Sequence, residues 1–331
     1  MSAPRASAPL KYLGPQWFAP AMGWAGLAFA WHRAGAALGE AALGIAAACA
    51  IIAAAAFAIV SVLSVLRMAR MPKALAEDLA HPARHAFLGA VPVTVLLLAA
   101  DAALLLGPQP WIAAAWFVGV ALQAAAAAWN VARWLSGRTQ WPAITPVAYV
   151  PVVGNLVVPL AGGALGHHGL SWAFMGIGLL FWPVLTALLL ARQLHQPLPE
   201  RLQASWFVAI APPAVAGSAA LSLGAPWPAA AAALGVATLF AAAAASRVPA
   251  IARAPFAMPA WAVSFPLAAL SALALRVAGD AAAMTMPAVV LLAIASVVIV
   301  GLSLATWKGL RAGTLLAPEP VATIAVSGDA P

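Results

Sequence analysis

The chain has 331 residues, 65% of them hydrophobic and only 7% charged, with 16 Lys and Arg against 8 Asp and Glu for a net charge of +8. A water-soluble chain carries roughly 25% charged residues, so bulk water is excluded as the main solvent of this surface. The bases stand singly between long apolar runs rather than in a patch or stripe, which excludes nucleic acid as a partner and points to a membrane face.

In chain order, apolar segments long enough to span a bilayer run over 13–33, 40–66, 86–107, 110–134, 145–166, 170–192, 202–224, 227–247, 256–277 and 284–307. Each is close to the ~20 residues that a hydrocarbon core demands, which predicts an all-α integral membrane protein of ten transmembrane helices. The first segment follows Arg5 and Lys11 and has the outline of a secretory leader. Pro15, Trp17, Pro20 and Trp24 interrupt it, so it is read as the first membrane helix. Connections after the second, fourth, sixth and eighth segments carry charge, whereas those after the third, fifth and seventh are short and uncharged. The helices therefore pair as five hairpins.

Sorting the bases by side sets the orientation. Arg5, Lys11, Arg67, Arg70, Lys73, Arg84, Arg133, Arg138, Arg192, Arg201, Arg247, Arg253, Lys308 and Arg311 fall on one side, and only Arg33 and Arg276 on the other. The positive-inside rule then places both termini in the cytoplasm of a multi-pass protein of the cell (inner) membrane. Residues 1–311 are expected to form the transmembrane domain and residues 312–331, with Pro and Gly, a short disordered cytoplasmic tail.

The odd-numbered segments each hold an interior proline: Pro20, Pro92, Pro151, Pro212 and Pro266. The even segments are smooth runs of Ala, Leu, Val and Ile, with Pro183 in the sixth as the main exception. An interior proline removes a hydrogen bond and leaves carbonyls that need protein or water. Five proline-kinked inner helices around a central, partly hydrated pore, wrapped by five outer helices, is the expected architecture, and these prolines are expected to face the pore. Asn155, beside Gly154 and close to Pro151, is a further candidate for the pore lining.

Chemistry is sparse. His32, His81, His85, His167, His168 and His195 all fall at segment ends or in loops, and Pro82 separates His81 from His85 where a metal pair would need a regular helical face. The one cysteine, Cys49, lies in an Ala-rich run, as a small core residue does. These residues form no catalytic constellation, and neither an enzyme activity, a metal nor a cofactor is expected. Asp101 is the one acid clearly inside a predicted span, and intramembrane carboxylates are functional candidates by default. It lies near the outer end of its segment, as Arg276 does in the ninth, so a structural ion pair between Asp101 and Arg276, or snorkelling to the interface, is at least as good a reading as a proton or substrate site.

Several segments, in order, resemble one family. They are His81-Pro82-Ala-Arg84-His-Ala-Phe87, the run from Pro92 to Asp101, Tyr149-Val-Pro151 through Asn155, Phe181-Trp-Pro183-Val, Leu198-Pro-Glu-Arg201 leading to Ala211-Pro212, and Trp261 through Pro266. The chain is similar in these to the tellurite-resistance and dicarboxylate transporter family, which includes bacterial TehA, the yeast malate and sulfite transporters and the plant slow anion channels. The resemblance implies a homotrimer in which each protomer has its own pore for small inorganic or organic anions. It also implies an aromatic residue of the ninth helix that occludes the pore, which by position is Phe265. Passive anion conduction is the expected function. The alternative within the family is a proton-coupled carrier for a C4-dicarboxylate such as malate, or an exporter of sulfite or tellurite.

Overall fold

The computed structural model describes residues 9–81, 84–137, 139, 141–279 and 282–316. Arg5, Pro82, Arg138 and residues 317–331 of the expected tail lie outside the described residues. Those described are helical, with no strand among them. Eight helices are long and apolar enough to cross a membrane: α2 (Glu40–Arg70), α3 (Arg84–Leu106), α4 (Pro110–Leu135), α6 (His168–His195), α7 (Glu200–Ser222), α8 (Trp227–Ala245), α9 (Met258–Ala278) and α10 (Ala283–Arg311). Two shorter apolar segments complete the order, α1 (Ala19–Arg33) and α5 (Pro146–Gly162).

The prolines of the odd helices do not sit where a regular α-helix is interrupted. Each falls within the first three residues of an α segment that a 3-10 turn precedes. Pro20 is the second residue of Ala19–Arg33, after the 3-10 turn Pro15–Phe18. Pro92 is the third of Ala90–Leu106, after Arg84–Gly89. Pro151 is the third of Tyr149–Val153, after Pro146–Ala148. Pro212 is the second of Ala211–Ser222, after Glu200–Ile210, and Pro266 the third of Ser264–Ala278, after Met258–Val263. An N–H in the first turn of an α segment has no intrahelical partner, so proline is tolerated there. The consequence is an odd helix in two parts. Its first part is 3-10, reaching 11 residues in Glu200–Ile210, although such runs rarely exceed 3–4 residues. Two prolines of the even helices behave otherwise: Pro183 and Pro287 lie inside continuous α-helix, while Pro110 and Pro228 stand in a first turn.

Burial divides the helices the same way. In the most apolar windows of α7 and α9, 83% of residues are buried, and 61% in α3, against between 17% and 33% in α2, α4, α6, α8 and α10. α1 packs on α3 and α9, α7 on α9, and α5 on α3 and α7, so the odd helices close on themselves. Each even helix packs against the odd helix before it.

The even helices also satisfy polar groups of the odd ones. Gln123 of α4 donates to the Pro151 carbonyl at 2.9 Å and Trp116 to the Val158 carbonyl at 3.0 Å, both in the broken helix α5. On α10, Ser303, Ser296 and Thr306 accept the indole N–H groups of Trp24, Trp31 and Trp261 at 3.1, 3.1 and 2.8 Å. A buried indole without an acceptor is destabilising, so these hydroxyls fix the seat of α10 on α1 and α9.

Candidate functional site

Two cavities lie along the axis of the odd helices. The first is about 60 Å³, and all five odd helices line it, with Met22, Val93, Val153, Val215 and Phe265 among the contributors. The second is about 10 Å³ and is lined from the same five helices by residues further along each, including Gly26, Leu97, Leu160, Ser218 and Phe265. A water needs some 10–15 Å³ of such space, so the first cavity has room for several and the second is at the limit for one. No side chain of an even helix lines either cavity.

Phe265 belongs to both linings and is 7% exposed, which puts its ring between the two spaces. Its position depends on the opposite helix. A Cβ on Gly26 of α1 would lie 2.7 Å from Cδ2 of the ring, so only a glycine there lets the ring approach α1 this closely. One turn earlier, a Cβ on Gly23 would lie 2.4 Å from Oγ of Ser264. The glycines therefore bring α1 and α9 together at the constriction.

The first cavity is lined by apolar groups and by the ring of Tyr149, whose hydroxyl is engaged with Thr186 at 2.7 Å. No charged side chain lines it. Of the prolines expected at the pore, Pro212 and Pro266 line it; Pro92 and Pro151 are buried and Pro20 half-buried behind the lining. Asn155 is fully buried but lines neither cavity, and its amide donates to the Val152 carbonyl inside α5.

Asp101 and Arg276 are not bonded to one another. Arg276 donates to the Ser218 carbonyl and, at 3.0 Å, to Ser222 Oγ at the end of α7. Asp101 is 2% exposed, and neither carboxylate oxygen has a hydrogen-bond partner among the described residues. The charge that acts on both is Arg33 of α1, attractive to Asp101 and repulsive to Arg276. Depth along a helix is readable from the sequence, but the partner of each side chain is not: Arg276 bonds the end of α7, and the Asp101 oxygens bond to no described residue.

At the other end of the bundle a network joins the α2–α3 connection. Arg67 is buried against Asp78, which also takes Arg84 at 3.2 Å, and Arg67 Nε donates to the Lys11 carbonyl at 3.1 Å. Burial and the neighbouring Arg84 hold the His81 imidazole below the ordinary histidine range, and its Nδ1 accepts the Arg84 backbone N–H at 3.1 Å. His85 donates from Nδ1 to the His81 carbonyl at 2.9 Å. The Arg84 backbone and the His85 ring thus both bond back to His81. Arg133 and Arg192 similarly donate to the carbonyls of Leu79 and Gln196. Several bases of this side are therefore structural groups.

Two apolar cavities between five half-3-10 helices, with one ring in the lining of both, offer a small anion no tight site. No curated protein matches the chain. The family model described as voltage-dependent anion channel matches residues 12–315, a stretch that contains α1 through α10 and every residue that lines the two cavities. The chain belongs to the voltage-dependent anion channel (SLAC1) family, the group that its sequence motifs resemble.

Proposed function

We propose that the protein is a passive anion channel whose pore runs between α1, α3, α5, α7 and α9 and is closed by the Phe265 ring. In this reading the ten segments all span the bilayer as five hairpins, with the even helices facing lipid. The observation that carries it is the placement of Phe265 between two cavities that each draw on all five odd helices. Anion transport is what the family does; the uncharged lining favours a channel, because an anion held weakly leaves quickly. An aromatic ring in an apolar neck excludes water as well as ions, and that suffices to stop conduction. Both termini lie in the cytoplasm in this proposal, on the strength of the charge bias, and three protomers each carry a pore. A reporter fused after Arg311 that worked only outside the cytoplasm would contradict the orientation.

The buried, unpartnered Asp101 favours a second reading, a proton-coupled carrier for malate or an exporter of sulfite or tellurite. Purified protein in planar bilayers separates the two, with chloride, nitrate, sulfite and malate in turn. Unitary current steps without a pH gradient are expected, and Asp101→Asn should keep them. Saturable flux that needs a pH gradient and is lost in Asp101→Asn would replace the channel by the carrier.

A further inference from the structure

The second cavity ends in charge. On an α-helix the residue four further on lies over the same face, one turn up. From the lining residues Phe29, Leu97, Ser218 and Ala272 that step leads to Arg33, Asp101, Ser222 and Arg276, all still within their helices. The side chains agree with the register. The Arg33 guanidinium lies over the Phe29 ring, 4.7 Å from its centroid, and Arg276 reaches across to Ser218 and Ser222. Two cations and one anion therefore stand one turn beyond the lining of an apolar neck.

This group does not satisfy itself. Arg33 presents five N–H donors. Among the described residues it makes no hydrogen bond or ion pair, its Nε is buried without an acceptor, and its contact is the face of Phe29. Asp101 is close enough for its charge to be felt but forms no ion pair with Arg33. Arg276 is partly capping the C-terminal carbonyls of α7, a placement that helix ends favour for any cation. Arg33 also ends its helix, but it donates to no carbonyl among the described residues. A half-buried guanidinium that bonds to no described residue, with a second cation nearby, can hold an anion weakly. Asp101 beside it weakens the attraction and disfavours multiply charged species.

We infer that Arg33 and Arg276 form a weak binding site for a small monovalent anion, such as chloride or nitrate, at the mouth of the second cavity, with Asp101 setting its low affinity. The site rests on the channel reading for its purpose, since it would load the neck from one side, but not for its existence. Binding is tested first without transport. A ligand that binds the folded state raises its melting temperature. The full chain in detergent is titrated with sodium chloride against sodium gluconate at constant ionic strength. The wild type should gain stability as chloride rises; Arg33→Gln should lose that response, Arg33→Lys should keep part of it, and Asp101→Asn should shift it to lower chloride. A wild type indifferent to chloride, or Arg33→Gln with an unchanged response, overturns the site. A protein that chloride stabilises but that passes no current keeps the site and removes the channel. In bilayers at low chloride, Arg33→Gln should reduce several-fold the current of anions that enter at this mouth and leave the opposite current intact. Equal loss in both directions would reduce Arg33 to a packing residue.

Discussion

Gly26 and Phe265 are a matched pair. The ring occupies the space that any side chain on residue 26 would need, since a Cβ there would lie 2.7 Å from Cδ2 of the ring. Overpacking a tight interior costs about 1–3 kcal/mol. Gly26→Ala should therefore lower the stability of the protein, and should do so far less in a Phe265→Ala background, where the methyl group has room. A double-mutant cycle measured by thermal unfolding checks this, and additive effects would show that residue 26 is not the seat of the ring. Phe265 is legible as a candidate in the sequence, through the family motif from Trp261 to Pro266. Gly26 is not: glycines are common in apolar helices, and nothing local in α1 tells which of them faces the ring. Arg33 is missed for a related reason. Its step of four residues from Phe29 acquires meaning only once Phe29 is known to line the second cavity.

Among the elements, the division into buried odd and exposed even helices is readable from one residue type, because each odd segment carries an interior proline where 3-10 passes to α, while Pro183 and Pro287 leave their even helices unbroken. What the sequence hides is the kind of change. An apolar run looks alike whether it is 3-10 or α, so Pro20, Pro92, Pro151, Pro212 and Pro266 read as interruptions when they are in fact starts of α segments. The broken helix α5 shows the compensation most clearly: Gln123, fully buried on α4, donates to the Pro151 carbonyl. Leaving a buried carbonyl unpaired costs about 1–3 kcal/mol. Gln123→Leu should destabilise the protein by about that amount, read as a lower midpoint of denaturation. Gln123→Glu should be tolerated if it is protonated there. A wild-type midpoint for Gln123→Leu would mean that α5 holds its break without help from α4.

For the molecule as a whole, the odd helices close a ring whose inside is apolar, and the charges gather at its two ends. At one end Arg67 and Arg84 neutralise Asp78; at the other Arg33 acts on both Asp101 and Arg276. In the proposed reading the neck between them depends on a single ring for closure, and this is the central claim. Removing that ring should join the two cavities, because no charged constriction is left to stop an anion. Leu267, only partly buried and two residues further along α9, serves as the control for general loosening of the packing. Single-channel recording of Phe265→Ala beside Leu267→Ala tests the claim most directly. A strong rise in anion conductance for Phe265→Ala, with little change for Leu267→Ala, is the predicted result, and Phe265→Ala conducting no more than wild type would contradict it.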